Sequence, residues 1–305
     1  MAVLAGREVL PPRIGLVVLD ADYTCTKPIA GGEEAYEQAF IDSLRVSLGE
    51  GDAALFAERW KAAKAQVVSE RGVHGFIFKE DVGIVAAAES DVMMAMHAVG
   101  WLLTRTYYDQ VPHSAYANMA YAAYKAGYPK LGMTIVPELP LLLRGLRDRK
   151  IPAVVVTNSA ADAVRANLAR GLGDEFPAFL DGVQGHAAKF EIDPDWEVPH
   201  MIVRAYTNLD GLQYPVLLRR RAYYEAITRA REAVGGLKCD QVLVIGDNTQ
   251  LDLMMPDALG MQTALVESAT TAPWDRAWIR DTGHLAWRSP ITTLDRVLSF
   301  FQLGE

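Results

Sequence analysis

Cysteine is scarce in this chain. Cys25 and Cys239 are the only two in 305 residues. They cannot build a disulfide framework and match no metal-ligand spacing, so both read as small buried residues. Positive charge is also in deficit. The 30 Lys and Arg against 38 Asp and Glu give a formal net charge of -8, which offers no basic face to nucleic acid. No apolar run approaches the ~18 residues of a membrane span, so no membrane partner is expected. Residues 1–13 carry Arg7, Glu8 and two prolines but no long apolar stretch, which is unlike a signal peptide. Repeats and low-complexity linkers are missing too. A reducing, cytoplasmic setting is therefore the expectation. What the chain has is apolar mass: half of its residues are hydrophobic. At roughly 150 residues per domain, that suits one large domain or two smaller ones.

Three apolar runs each stop at a polar residue. Residues 15–19 stop at Asp20, 153–156 at Thr157, and 242–245 at Gly246-Asp247. Short β-branched runs of this kind read as buried parallel strands, and open α/β sheets place ligands at the carboxyl ends of such strands. The first run is followed directly by Asp20-Ala21-Asp22-Tyr23-Thr24.

Around these runs the pattern divides the chain. From Glu33, apolar Tyr36, Phe40, Leu44 and Leu48 recur at helical spacing until Gly49 and Gly51 stop them. Segments 53–69, 84–108 and 114–126 are alanine-rich and read as helix, and no strand stands out before about residue 130. Helix and strand then alternate. Leu139, Leu142, Leu143 and Leu146 mark a helix behind Pro137, with Arg147, Arg149 and Lys150 at its end. Strand 151–156, helix 160–172, a short strand 179–184, an irregular stretch 193–215, helix 223–233, strand 241–245, a helix to about 259 and strand 262–266 complete the series. Such alternation predicts a parallel sheet with helices on both faces. The expected division is a discontinuous α/β core, 1–25 and 133–305, carrying a helical insert, 26–132.

Each run end has a chemical reading. Asp20 and Asp22, two apart, would share a face in regular strand; just past a strand end they can still approach one ligand. Asp247 can reach a metal from its loop, and Asp252 can support it from the next turn. Carboxylates without nearby histidines suit a hard cation such as Mg2+. Thr157-Asn158-Ser159, between a strand and a helix, offers hydroxyl, amide and backbone donors to an anion at a positive helix end. Each element alone also reads as an ordinary turn or helix cap.

Taken in order, the three sites resemble the haloacid dehalogenase superfamily, specifically its aspartate-nucleophile phosphatases. Residues 20–24 resemble the family's first motif, 154–158 its second, and Gly246-Asp247-Asn248-Thr249-Gln250-Leu251-Asp252 its fourth. The resemblance implies a Rossmann-like parallel-sheet core with an inserted all-helical cap, and a Mg2+-dependent hydrolase acting on a small phosphomonoester. It implies that Asp20 attacks phosphorus while Asp22 protonates the leaving oxygen and later activates water. It places Mg2+ on Asp20, the Asp22 carbonyl and Asp247, with Asp252 in support, and phosphate on Thr157 and Asn158. The family's bridging cation is assigned to Lys189, catalytic and phosphate-binding, with Arg219, Arg220 and Arg221 as rivals. Lys189 lacks the proline that usually follows, and Tyr23 stands where many members have Gly. Asp22 itself separates the chain from dehalogenases proper, which lack this residue.

The insert would read the leaving group, with Lys27, Arg71, His74, Lys79, Arg105 and His113 as candidate contacts. Lys61 or Lys64 as a Schiff-base former would point instead to a phosphonate hydrolase. Two further readings are a phosphomutase and a non-catalytic protein that binds a phosphorylated ligand. The expected partner is a small phosphate ester; the oligomeric state, a homodimer included, stays open.

Overall fold

The computed structural model describes residues 14–173, 182–197, 206–281 and 286–301. Its strands are β1 (Leu16–Leu19), β2 (Thr26–Lys27), β3 (Gly75–Ile77), β4 (Ile84–Ala87), β5 (Thr134–Ile135), β6 (Ala153–Val156), β7 (Gly182–Gln184), β8 (Tyr206–Thr207), β9 (Val216–Leu217), β10 (Val242–Gly246), β11 (Gln262–Val266) and β12 (Arg288–Ile291). Its helices are α1 (Gly32–Ser47), α2 (Ala53–Ser69), α3 (Val92–Tyr107), α4 (His113–Gly127), α5 (Leu139–Asp148), α6 (Ala161–Leu172), α7 (Arg221–Ala233), α8 (Met254–Ala258) and α9 (Pro273–Arg280). None of them is long and apolar enough to cross a membrane.

The chain divides into two compact units. The first comprises Met1–Lys27, Thr134–Ala205 and Leu218–Glu305. Its sheet has the order β12-β11-β10-β1-β6-β7, with every pair parallel. β1, β6 and β10 are buried along their whole length, as strands covered on both faces must be. Val17, Leu19, Val155, Leu243 and Ile245 share one core with Leu139, Leu142, Leu143 and Leu146 of α5 and with Val164 and Leu168 of α6. From β1 the chain steps one way to β6 and β7, then returns past β1 to β10, β11 and β12. The order therefore reverses at the β1/β10 boundary, the place where open parallel sheets form a ligand crevice. This is the parallel sheet that the strand pattern predicts, in the Rossmann-like arrangement that the resemblance implies.

The second unit comprises Pro28–Met133 and Tyr206–Leu217. Its core is aromatic and helical: Tyr36, Phe40 and Leu44 of α1 pack with Phe56 and Trp60 of α2, Met96 and Leu103 of α3, and Tyr116, Ala120 and Ala123 of α4. Gly127 lets α1 and α4 approach closely, because a Cβ there would lie 2.7 Å from the Tyr36 ring.

Four local expectations change. Within 26–132, where no strand was expected, β3 and β4 form an antiparallel hairpin; Val85-Ala86-Ala87 is too short and too alanine-rich to show a period of two. The helix expected over 84–108 is thus strand 84–87 followed by α3 from Val92. A sixth core strand, β12, appears where none was read. Its Arg-Ser-Pro-Ile sequence is polar and holds Pro290, which suits a sheet edge. Residues 206–217, expected within the core segment, belong to the second unit. There β8 pairs with β9, and the Gln213 amide donates to the Gly72 carbonyl at 2.9 Å. Gly72 has φ 75°, and a Cβ on it would sit 2.0 Å from the Gly211 carbonyl oxygen, so only glycine admits this contact. The short strand expected at 179–184 begins at Gly182 within the described residues.

Candidate active site

The chain leaves β1 in a tight turn. The Asp20 amide still donates across to the Ile245 carbonyl, at 2.9 Å. The Ala21 carbonyl then accepts from the amides of Cys25 and Thr26, both at 2.9 Å, and from the Thr26 hydroxyl at 3.1 Å. Tyr23 takes the left-handed conformation, φ 60°, which glycine adopts without a steric penalty. For a non-glycine residue this costs about 1–2 kcal/mol. The turn buries Ala21 and leaves Asp20 and Asp22 partly accessible.

Lys189 reaches this turn from behind β7. Its ammonium nitrogen lies 2.5 Å from Asp20 Oδ1 and 2.8 Å from Asp252 Oδ1, and 5.2 Å from the centre of the Tyr223 ring. The loop that carries it is bent hard: His186 and Ala188 are both left-handed, at φ 53° and 46°. Gly185 touches the 159–161 backbone so closely that a Cβ would meet the Ala161 nitrogen at 2.3 Å. Two side chains pin the Lys189 backbone. Asn158 Oδ1 accepts from its amide at 2.7 Å, and the guanidinium of Arg220 donates to its carbonyl.

Among the rivals for the cation, Arg219 donates to the Pro194 carbonyl, and Arg221 is exposed beside Glu225 and Asp193. Arg220 is fully buried. It is not the solvated residue expected of an arginine run, because it serves the loop of Lys189. Burial pulls its pKa down to about 10, which leaves it charged at neutral pH.

The third element follows β10. Gly246 leaves room for Asp252, since a Cβ there would lie 2.5 Å from Asp252 Oδ2. The Asn248 amide donates to that same oxygen at 3.1 Å, and the Tyr223 hydroxyl donates to the Asp252 carbonyl at 2.9 Å. Thr24 Oγ1 donates to Asp247 Oδ1 at 3.1 Å, which ties the first turn to the last. One carboxylate oxygen each from Asp20, Asp247 and Asp252 come within 4.8 Å of one another. Three carboxylates against one ammonium leave excess negative charge, and the donor set is all oxygen. These residues fit a hard divalent cation such as Mg2+. The Asp22 carboxylate lies outside this acidic group and accepts from Ser159 Oγ at 2.6 Å; the ligand expected from Asp22 is its carbonyl. Asp252, expected only in support, is a full member of the group.

The electrostatics follow from this crowding. Burial works against the Lys189 ammonium, yet Asp20 and Asp252 outweigh it and hold its pKa well above the ordinary lysine value. Burial pushes the Asp20 carboxyl up to about 7; Lys189 opposes this, while Asp252 and Asp22 add to it. One lysine does not fully offset the buried negative charge, so a second cation would favour the ionised form of Asp20.

Thr157 ends β6. Its amide donates to the Gln184 carbonyl at 3.0 Å and its carbonyl accepts from Ala187 at 2.9 Å, while its Oγ1 accepts from the Ser159 amide at 3.1 Å. Thr157 and Ser159 are both buried. The expected residues Asp20, Asp247, Asp252 and Lys189 thus form one connected group. Thr24 couples it to the first turn, and Ser159 couples Asp22 to the Thr157 loop. Thr24, Ser159 and Tyr223 also take part in the site, through contacts that the sequence does not announce. The first two sit inside or beside the motifs at the strand ends, whereas nothing in the sequence marks Tyr223.

The insert candidates sort by exposure. Lys27, Arg71, Lys79 and Arg105 are exposed, His113 is buried, and His74 pairs with Glu70 at 2.7 Å. Lys61 is exposed, and Lys64 is held by Glu37 at 2.6 Å.

No family model matches the sequence, and no curated protein proves similar to it. Solved structures do. A haloacid dehalogenase-like family hydrolase from Streptococcus pneumoniae is similar over 95% of this chain and 99% of its own, at 16% identity and a TM-score of 0.50. A predicted phosphoglycolate phosphatase from Haemophilus somnus is similar over 93% and 96%, at 13% identity and a TM-score of 0.51. With its parallel sheet and three acidic or hydroxylic strand ends, the chain has the haloacid dehalogenase-like fold.

Proposed function

We propose that this chain is a Mg2+-dependent phosphatase of a small phosphomonoester, acting through an aspartyl-phosphate on Asp20. The observation that carries the reading is the convergence, at the ends of three parallel strands, of a nucleophile, a buried ammonium, a carboxylate group suited to a cation, and a second carboxylate. Asp20 Oδ attacks phosphorus as the ester oxygen departs with the bonding pair. Asp22 gives that oxygen its proton, and the alcohol leaves. Asp22, now a carboxylate, takes a proton from water as the water oxygen attacks phosphorus. The Asp20–phosphorus bond breaks, and inorganic phosphate and both aspartates are restored. Splitting the displacement this way replaces one difficult step with two easier ones.

Lys189 and the Thr157 loop hold the phosphoryl oxygens, with Asn158 fixing the Lys189 backbone. Asp20, the Asp22 carbonyl and Asp247 would hold Mg2+, supported by Asp252. The ion would supply charge that lessens repulsion between an anionic nucleophile and an anionic ester. The name of the Haemophilus somnus neighbour agrees with a small phosphomonoester as the substrate class. A phosphonate hydrolase gains no support from Lys64, which an acid already holds.

The expected outcome is release of phosphate from a generic aryl phosphate that needs Mg2+, ceases on chelation, and falls about 10⁴-fold or more in Asp20→Asn. Absence of turnover across a broad panel of phosphate esters, with metal binding intact, would favour a binding protein.

A further inference from the structure

The contact between Ser159 and Asp22 has no part in the mechanism above. Ser159 is 5% exposed and sits in the loop between β6 and α6. Its Oγ lies 2.6 Å from Asp22 Oδ2, and its amide donates to Thr157 Oγ1 at 3.1 Å. The His186 amide in turn donates to its carbonyl at 3.1 Å. Its backbone is therefore fixed from both sides, and its hydroxyl is delivered to the one carboxylate that stands apart from the acidic group of Asp20, Asp247 and Asp252.

We infer that Ser159 is a positioning residue: its hydroxyl fixes the Asp22 carboxyl so that the other oxygen, Oδ1, faces the ester oxygen. The inference rests on the phosphatase reading. The hydroxyl donates to Asp22 Oδ2 when Asp22 is a carboxylate, and it still donates to that oxygen, then the carbonyl of the acid, when the proton sits on Oδ1. One contact therefore persists through both proton transfers and keeps the proton on the oxygen that faces the ester. The same hydroxyl links Asp22 to the loop of Thr157, so the acid is set relative to the bound phosphoryl group.

A positioned acid matters in proportion to how badly the leaving group needs a proton. General acid catalysis contributes about 10²–10⁴-fold, and an activated aryl oxygen needs little of it. The test is the rate of phosphoenzyme formation in full-length protein with Mg2+, using p-nitrophenyl phosphate and a simple alkyl phosphate. Ser159→Ala should slow the alkyl ester by about tenfold or more and the aryl ester far less, while Ser159→Thr restores the alkyl rate. In an Asp22→Asn background, Ser159→Ala should have no further effect on the ratio.

The alkyl-to-aryl ratio does not depend on the fraction of active protein, so partial misfolding leaves it readable. If Ser159→Ala does not fold, Ser159→Cys, close in size and a weak donor, carries the same ratio test. Equal slowing of both esters, or no slowing of either, overturns the positioning role. A wild-type chain that forms no phosphoenzyme from either ester overturns the phosphatase reading itself, a result distinct from both.

Discussion

The two units handle charge in opposite ways. Among the described residues, every buried Asp, Lys or Arg lies in the first unit: Lys189, Arg220, Asp252 and Asp275. The second unit buries tyrosine, phenylalanine and tryptophan instead. Its ion pairs lie nearer the surface and join residues close along the chain: Glu70 with His74, Glu50 with Arg59, Glu37 with Lys64. The first unit has local surface pairs too, such as Arg221 with Glu225 and Arg165 with Asp162, but the contacts of its site span the sequence. Lys189 meets Asp20 across 169 residues, Thr24 meets Asp247 across 223, and Ser159 meets Asp22 across 137. Taking a charge out of water costs several kcal/mol, which pairing offsets only in part. Apolar packing is the ordinary source of stability. A fold that keeps such a cluster at the ends of three strands gives up stability to hold it, a cost that the proposed chemistry would explain.

The sharpest way to break this comparison is Lys189→Met. It leaves the buried Asp252 and the largely buried Asp20 facing each other without their common cation. We expect turnover to fall about 10³-fold and stability to urea to drop by on the order of 3 kcal/mol. Activity lost with stability untouched would mean that the cluster does not depend on the lysine for its folding. In the second unit the matching test is apolar. Phe40→Ala removes a fully buried ring and should cost about 3–5 kcal/mol, measured by urea unfolding.

A further effect is the pH response of His97. Its ring packs edge-on against Phe40 and Phe76, at 5.7 and 4.9 Å between centres. Burial lowers its pKa from 6.5 to about 4. Below 6.5 the unfolded chain takes up a proton that the folded chain refuses until about 4. The stability this histidine contributes is therefore intact above 6.5 and lost as pH falls toward 4. His97→Phe should flatten that part of the stability profile, read from thermal melts between pH 7 and 4.

The same contrast governs what could be read in the sequence. The central strands were legible because β1, β6 and β10 are unbroken aliphatic runs with a polar stop. The α5 leucines were legible because their spacing is regular. The site's acids could be found because they stand at those stops. What could not be read depends on contacts far away in the chain. Arg220 looks like one of three surface arginines until its guanidinium is seen on the Lys189 carbonyl. Tyr223 looks like one more helical aromatic until its hydroxyl reaches Asp252. The 206–217 segment carries no mark of its pairing with Gly72. β12 hides behind an arginine and a proline that an edge position tolerates.

The central claim is that Asp20 is a nucleophile. The direct measurement is intact-protein and peptide mass spectrometry of Asp22→Asn after rapid quenching from an activated aryl phosphate with Mg2+. The account predicts one added phosphoryl group, on the peptide that contains Asp20, and none when Asp20→Asn is introduced as well. An unmodified Asp20 peptide at every quench time, in wild type and Asp22→Asn alike, while the wild-type protein hydrolyses the same ester, would contradict it.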